Sequence, residues 1–190
     1  MLESGGLDCV AVTDHNTITF ALALNEKIGN HIIVGEEITT LEGEIIGLYL
    51  TEVIKAGMTA AETVAAIKRQ GGLVYIPHPF ETVRQGVSLN TLNTIMNDVD
   101  IIEAQNGRAI FQNKSKPAIE WSQAHQKPGM ASSDAHGWHG WGRTYTMIEA
   151  APTRASLVSL LAKAEYRVAS PGLRGVLYPK LNRIRRRRRA

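Results

Sequence analysis

An aspartate and a histidine two positions apart, Asp134 and His136, form the sharpest chemical feature of the sequence. They follow the short run 129–132, which the sequence predicts to be a β-strand, and side chains two positions apart share a face of extended chain. A carboxylate together with a neutral imidazole is a ligand pair that suits Zn²⁺, Mn²⁺ or Fe²⁺. Taken alone, the two residues are equally well interpreted as a hydrogen-bonded structural pair.

A second acidic residue beside a histidine, Asp14 and His15, follows the mostly apolar run 7–13. His15 could bind a metal ion while Asp14 orients a neighbouring histidine through an outer hydrogen bond. The alternative is that Asp14 or Asn16 caps the helix that periodicity predicts from Thr17 to Ile28.

Other candidate ligands come at the ends of further predicted strands. His78 lies between two prolines, which fix its backbone, and the alternative is an exposed residue in a stiff turn. Of the adjacent Glu36 and Glu37, only one can face a pocket, where it could bridge two metal ions while the other is solvated or salt-bridged. Glu44 lies in a predicted hairpin, where it is either beside the same site or exposed. For His139, the two alternatives are a loop contact and a role in substrate binding.

Competing chemistries have less support in the sequence. Cys9 lies within an apolar run and is predicted to be a core residue rather than a nucleophile. Ser132 and Ser133 lack the glycines of a nucleophile elbow, and no glycine-rich phosphate-binding or dinucleotide-binding loop follows a strand. A metal site is the remaining interpretation.

The elements that must position these residues alternate between strands and helices. This order predicts an α/β protein with a largely parallel sheet, open or closed into a barrel. Because the carboxyl ends of parallel strands meet at one edge, polar residues far apart in sequence are expected to share one pocket. The predicted strands are 7–13, 31–34, 73–76, 99–103, 129–132 and 145–149, with a hairpin of 38–40 and 44–50 around Glu42 and Gly43. The predicted helices are 17–28, 89–96, 109–125, which Pro117 could break, and 154–164, with a further helix from Thr59 to Gly71.

The length of 190 residues and the 44% of hydrophobic residues indicate one domain that can bury a core. No apolar run approaches the roughly 20 residues that cross a bilayer, and the first residues do not resemble a secretory signal. A single cysteine cannot form an internal disulfide bond. The expected location is therefore the cytoplasm, without a membrane partner.

The net charge of +3 arises from one end of the chain. Arg183 and the run 185–189 supply six of the 21 basic residues, so that 15 remain against 18 acidic residues. The segment 181–190 is expected to be a disordered arginine-rich tail, which could contact phosphate backbones. The rest of the chain gives no indication of nucleic-acid binding.

Several stretches, in order along the chain, resemble the PHP family, the polymerase and histidinol phosphatase domains. They are residues 6–16, 35–40, 43–48, 76–80, 103–108 and 133–136, followed by 142–146. The resemblance implies a PHP-like domain over residues 1–180, folded as a distorted seven-stranded β/α barrel of TIM-like type. It also implies two or three divalent ions, Mn²⁺, Zn²⁺ or Fe²⁺ with Mg²⁺ as an alternative, that hydrolyse phosphoesters through an activated water.

Carried over by position, the resemblance assigns each candidate a role. Glu37 would be the bridging carboxylate, and Glu44 stands where some relatives have a ligand histidine. The implied metal ligands are His15, Glu37, Glu44, His78, Asp134 and His136. The candidate catalytic residues are Asp14, Arg108 and Arg143. The two arginines are candidates for binding the phosphate, and a structural role for either of them is equally open.

The sequence departs from the family at one point. It has no Asp-x-His-x-His strand before Asp14, so that a barrel without its first strand is expected. Three functions therefore remain in view. The first is a phosphoesterase for a small phosphorylated molecule such as a nucleotide or sugar phosphate; the second is a truncated, impaired domain or scaffold; the third is a PHP-type nuclease.

Overall fold

The computed structural model of the protein describes residues 6–109, 113–137 and 140–169. In chain order the strands are β1 (Val10–Val12), β2 (Ile32–Thr40), β3 (Gly43–Leu48), β4 (Leu73–Ile76), β5 (Ile101–Asn106), β6 (Gly129–Ser132), β7 (Tyr145–Met147) and β8 (Glu165–Arg167). The helices are α1 (Thr19–Ile28), α2 (Ala60–Arg69), α3 (Leu89–Ile95), α4 (Ser115–Ala124) and α5 (Leu157–Leu161). The predicted alternation of strands and helices is therefore present.

Strands β1 to β6 form one sheet in which every strand lies next to its neighbour in sequence. The β1–β2, β4–β5 and β5–β6 pairs are parallel, whereas β3 is antiparallel to both β2 and β4. Strands β7 and β8 pair separately as an antiparallel ribbon. The fold is a mixed α/β fold with a sheet curled into a half-barrel, and the expected seven-stranded barrel that lacks one strand is not confirmed.

The directions of the strands bring several strand ends together at one edge of the sheet. Five strands of the large sheet run in the same direction, and β3 runs the opposite way between β2 and β4. The start of β3 therefore lies at the edge where the other strands end. We call this edge the rim; it comprises the carboxyl ends of β1, β2, β4, β5 and β6 and the amino end of β3.

Alternation along the strands divides the apolar residues between two faces of the sheet. One cluster contains Val34, Ile38, Val74 and Ile102 together with residues of helices α1 to α4, and we call this the helix face. The other contains Ile33, Ile46, Leu48, Leu73, Tyr75 and Ile101 with Leu157 and Leu161 of α5, and we call this the site face. Near the rim, the site face changes from apolar to polar residues.

Helix α2 begins and ends at the signals that the sequence predicts. The Thr59 hydroxyl accepts the Glu62 amide at 3.2 Å, and the Glu62 carboxylate accepts the Thr59 amide at 2.9 Å. This capping box satisfies two amides that the first turn leaves without partners. After the helix, Gly71 has φ +71°, a conformation that glycine adopts without steric cost.

The start of α1 contradicts one alternative for Asp14 and Asn16. The N-cap position is Ile18, and no side chain caps the helix there. The Asn16 amide instead bonds Thr39, accepting the Thr39 N–H at 2.9 Å and donating to its hydroxyl at 3.2 Å. Neither Asp14 nor Asn16 is therefore the helix cap, and Asn16 joins the exit of β1 to the end of β2.

Several other elements differ from the prediction. Strand β2 does not stop at Gly35 but continues to Thr40, because its second half pairs with β3 around a turn at residues 41–42. Helix α4 begins only at Ser115, so that Pro117 lies in its first turn, where proline is tolerated. Strand β8 follows α5 and was not predicted, because the sequence predicts a helix up to residue 164 and no strand after it.

Some predictions concern residues outside the described ranges. The arginine-rich tail at 181–190 and His139 both lie outside them. Among the described residues, no helix combines the length and the apolar character that crossing a bilayer requires.

Candidate metal centre

Three ligand-type side chains converge at the rim, from β1, β2 and β3. His15 Nε2 lies 3.5 Å from Glu37 Oε2, and His15 Nδ1 lies 3.4 Å from Glu44 Oε1. One ligand atom from each of the three residues lies within 4.8 Å of the others. The His15 side chain is half exposed, at 49%, whereas the two glutamates are 12% and 10% exposed. Solvent can therefore reach the cluster from the histidine side.

The hairpin register explains why Glu37 and Glu44 point the same way. Glu37 pairs with Ile46, two positions from Glu44, so that the two carboxylates are diagonal neighbours on the site face. Burial and then the charge of Glu37 raise the pKa of Glu44. Two carboxylates held this close repel one another, and a bound cation would offset that repulsion.

Glu36 lies on the opposite face from Glu37. It is fully buried in the helix face, where its Oε2 accepts the Ile54 amide at 2.8 Å. Burial raises its pKa, and the Ile54 hydrogen bond opposes the rise. The expectation that the second glutamate is solvated or salt-bridged is wrong, because β2 is covered on both faces at this position.

His78 completes the group at the rim. Its Nε2 lies 3.1 Å from Glu37 Oε1 and 3.6 Å from Glu44 Oε2, and its side chain is 5% exposed, so it is not the exposed turn residue of the alternative interpretation. Burial disfavours the charged ring, but the hydrogen bond to Glu37 and the charge of Glu103 outweigh burial and raise the pKa of His78. Its φ of +28° is rare for a residue with a side chain and indicates local backbone strain.

Glu103 is a buried carboxylate that holds this strained segment in place. Its Oε2 accepts the His78 amide at 2.6 Å and the Asn106 side-chain amide at 2.8 Å. Its Oε1 accepts the Tyr75 hydroxyl at 3.0 Å and the Ser132 hydroxyl. Burial is the main cause that raises the pKa of Glu103. One side chain of β5 thus ties together the rim ends of β4, β5 and β6.

Asp134 and His136 lie beside the first cluster, after β6. The rings of His136 and His15 are 6.3 Å apart, centroid to centroid. His136 Nδ1 is 3.4 Å from Asp134 Oδ1, and Asp134 has φ +45°, so this exit from a strand is strained like the one at His78. All six predicted ligands therefore come from strands that meet at the rim.

Two arginines contact the Asp134 carboxylate. Arg84 Nη1 donates to Oδ2, and Arg108 Nη1 donates to Oδ1 at 3.1 Å. Arg108 Nη1 also lies 2.8 Å from His136 Nδ1. Although burial favours the neutral carboxyl, the charges of Arg108 and Arg84 hold the pKa of Asp134 below its ordinary value.

Arg84 is presented by the loop 80–87, which follows His78. Its Nε and Nη2 donate to the two oxygens of Glu81 at 2.8 and 2.6 Å, and its Nη1 also donates to Asn106 Oδ1 at 2.8 Å. The loop is closed by the Phe80 amide, which donates to the Val87 carbonyl at 3.0 Å. Gly86 is required here, because a Cβ at this position would overlap the His78 carbonyl oxygen.

The two remaining predicted catalytic residues, Asp14 and Arg143, are exposed. The Asp14 side chain is exposed, and the Asp14 carbonyl accepts the Glu37 amide at 3.1 Å. Arg143 is exposed, between β6 and β7. The sequence-based reasoning missed Arg84 and Glu81 altogether, and the available signal was their opposite charges three positions apart just after His78.

Comparisons with known proteins agree with this architecture. A family model described as PHP-associated matches residues 114–166. A two-domain protein of Bacteroides vulgatus that contains a predicted PHP-like metal-dependent phosphoesterase superposes with a TM-score of 0.62 at 18% identity, over 86% of this chain and 56% of its own. A predicted metal-dependent phosphoesterase of Bifidobacterium adolescentis superposes with a TM-score of 0.58 at 16% identity, over 89% of each chain. The resemblance to the PHP family is confirmed.

Two sequence relatives of this chain come from Methanocaldococcus jannaschii. The uncharacterized protein MJ1587 is 37% identical over 111 residues, which are 57% of this chain and 65% of the relative. The uncharacterized protein MJ0417 is 35% identical over 131 residues, which are 66% of this chain and 52% of the relative. The matched segments thus span less than two thirds of either relative.

The donor set of the rim fits a divalent transition-metal ion. Imidazole and carboxylate groups together suit Zn²⁺, Mn²⁺ and Fe²⁺. The carboxylates of Glu37 and Glu44 lie on one face with the His15 and His78 rings against them, at 3.1 to 3.6 Å. Such clustering of acidic groups in a half-buried site is costly without a cation to balance it.

Proposed function

We propose that this chain is a metal-dependent phosphoesterase that hydrolyses a small phosphorylated molecule such as a nucleotide or sugar phosphate. The observation that carries the proposal is the convergence of His15, Glu37 and Glu44, whose ligand atoms lie within 4.8 Å of one another. The matched PHP-like neighbours support the same class of reaction.

Glu37 is the central residue of the proposed site. Its two oxygens face different histidines, with Oε2 toward His15 at 3.5 Å and Oε1 toward His78 at 3.1 Å. This arrangement suits a carboxylate that bridges two ions, with Glu44 beside it. Divalent ions held by these residues would supply Lewis-acid activation of water and of the phosphoryl group.

Other side chains would position the substrate and the ligands. Arg108 carries a guanidinium to the rim beside His136, where it can donate to phosphate oxygens as negative charge develops in the transition state. Glu103 keeps His78 directed at Glu37 through its hydrogen bond to the His78 amide. For Asp14 the contacts support a main-chain role, because its carbonyl fixes the Glu37 amide.

The test is a comparison of two adjacent glutamates. The chain is loaded with Mn²⁺, Zn²⁺ or Fe²⁺, its metal content is measured by mass spectrometry, and phosphate release is followed on p-nitrophenyl phosphate, nucleotides and sugar phosphates. We expect turnover that EDTA abolishes, and we expect Glu37→Gln to lose both metal and turnover. Glu36→Gln is the matched control, because Glu36 lies on the other face of β2, and it should retain both.

The outcomes separate the proposed function from its alternatives. Full turnover by metal-free protein would refute the proposal. Bound metal without turnover on any phosphoester would favour the impaired domain or scaffold. Turnover of oligonucleotides, with none of mononucleotides or sugar phosphates, would favour the nuclease.

A further inference from the structure

Arg108 lies across the Asp134–His136 pair. Its Nη1 atom is 3.1 Å from Asp134 Oδ1 and 2.8 Å from His136 Nδ1, and those two acceptor atoms are 3.4 Å apart. An imidazole nitrogen whose lone pair accepts an N–H cannot give that lone pair to a metal ion as well. A divalent ion that binds both atoms must therefore displace this arginine N–H.

We propose that Arg108 is an internal competitor for a divalent ion at Asp134 and His136, and that metal binding there frees its guanidinium for the phosphate of the substrate. The competition follows from the contacts of Arg108 alone. The second half, the transfer of the guanidinium to phosphate, rests on the proposed function.

Arg84 provides the contrast that makes the role of Arg108 specific. It contacts the other oxygen of Asp134, and three more of its N–H donors are held by the two oxygens of Glu81 and by Asn106 Oδ1. The Glu81 carboxylate, 5% exposed, offsets its charge. Arg84 therefore fixes the orientation of Asp134, whereas Arg108 covers the side of Asp134 that faces His136.

Competition of this kind couples metal binding to anion binding. An ion that displaces Arg108 makes its guanidinium available, and an anion that holds the guanidinium lowers the cost of binding the ion. Coupling between two sites is reciprocal, so that phosphate should strengthen metal binding by the factor by which metal strengthens phosphate binding. A chain without the Arg108 side chain loses the part of this coupling that the arginine carries.

The test is a calorimetric titration with Mn²⁺ alone, without substrate. Arg108→Gln should bind Mn²⁺ about tenfold more tightly than the wild type, because a hydrogen bond between charged groups no longer has to be broken. Arg84→Gln, which removes an equal charge from the same carboxylate, should gain less than about twofold. The double variant Arg108→Gln/His136→Gln should bind Mn²⁺ less tightly than Arg108→Gln, because it lacks one of the two ligand atoms that Arg108 covers.

Chemical rescue tests the same proposal without replacing Arg84. This matters because replacing Arg84 leaves the Glu81 carboxylate buried and without its ion-pair partner. Millimolar guanidinium chloride added to Arg108→Ala should weaken Mn²⁺ binding toward the wild-type affinity, whereas sodium chloride at equal ionic strength should not. No gain in Arg108→Gln, an equal gain in Arg84→Gln, or no Mn²⁺ binding by any of these proteins would overturn the proposal. The predicted gain in a chain that hydrolyses no phosphoester would support the competition and count against the proposed function alone.

Discussion

Replacing Glu103 by leucine should cost much more stability than replacing it by glutamine, although both changes remove the same carboxylate. Its two oxygens accept from different kinds of donor. Oε2 accepts two N–H groups, from the His78 backbone and the Asn106 side chain, and Oε1 accepts the hydroxyls of Tyr75 and Ser132. A hydroxyl can turn to accept a hydrogen bond, but an N–H cannot.

The size of the difference follows from these partners. Glutamine can direct its oxygen at the two N–H donors and its amide nitrogen at the hydroxyls, so that each partner keeps a hydrogen bond. Leucine leaves two N–H donors without an acceptor. They are the His78 backbone N–H and one N–H of the Asn106 amide, whose nitrogen also donates to Asp134 Oδ2 at 3.3 Å. At about 1–3 kcal/mol for each orphaned buried donor, Glu103→Leu should lower the free energy of unfolding by about 2–6 kcal/mol. Glu103→Gln should cost only about 1 kcal/mol, because the hydrogen bonds are kept but go to a neutral amide rather than to a carboxylate.

Urea unfolding followed by circular dichroism and tryptophan fluorescence measures both values. Glu103→Leu should also weaken Mn²⁺ binding, since the His78 backbone loses the partner that holds its strained φ. If the two variants unfold within about 0.5 kcal/mol of each other, the spread seen for neutral surface substitutions, the reasoning about Glu103 fails.

Three further predictions concern local features. Thr59→Ala should lower the free energy of unfolding by about 1 kcal/mol through loss of the α2 cap, whereas Thr94→Ala on the exposed side of α3 should cost less in the same urea titration. Burial raises the pKa of Glu36, so its stabilising contribution is present at low pH and lost as pH rises through the raised pKa. Glu36→Gln should therefore gain stability relative to the wild type from pH 4.5 toward neutral pH, and an unchanged difference would contradict the burial argument. Gly86→Ala should lower the thermal midpoint and weaken Mn²⁺ binding together, because the loop must move away from the His78 carbonyl; a wild-type midpoint would show that the loop has room.

The elements that the sequence predicted best carry their signals locally. The capping box at Thr59 and the glycines after Gln70 bound α2, and the run 129–132 is β6 without any change of bounds. Strand β2 was cut short in the prediction because Gly35 and two charges look like a stop. The pairing with β3 and the burial of Glu36 against the Ile54 amide carry the strand onward, and neither is visible from neighbouring residues.

The candidate site divides in the same way. Residue type and position at strand ends were enough to select His15, Glu37, His78 and the Asp134–His136 pair, which the fold brings to one rim. The partners of Asp134 were harder to find. Arg84 reaches it only because the loop 80–87 folds back over the rim, an approach that depends on Gly86 and that no local periodicity encodes.

The hairpin of β2 and β3 makes the site sensitive to the length of a two-residue turn. Adding one residue at Leu41 or Glu42 would shift the pairing by one position and turn the Glu44 side chain into the apolar layer beneath the helices, with Ile45 taking its place among the polar groups. Adding two residues would return the Glu44 side chain to the site face. Variation in chain length among relatives is therefore expected to be scarce at this turn and, where it occurs, to come in even steps.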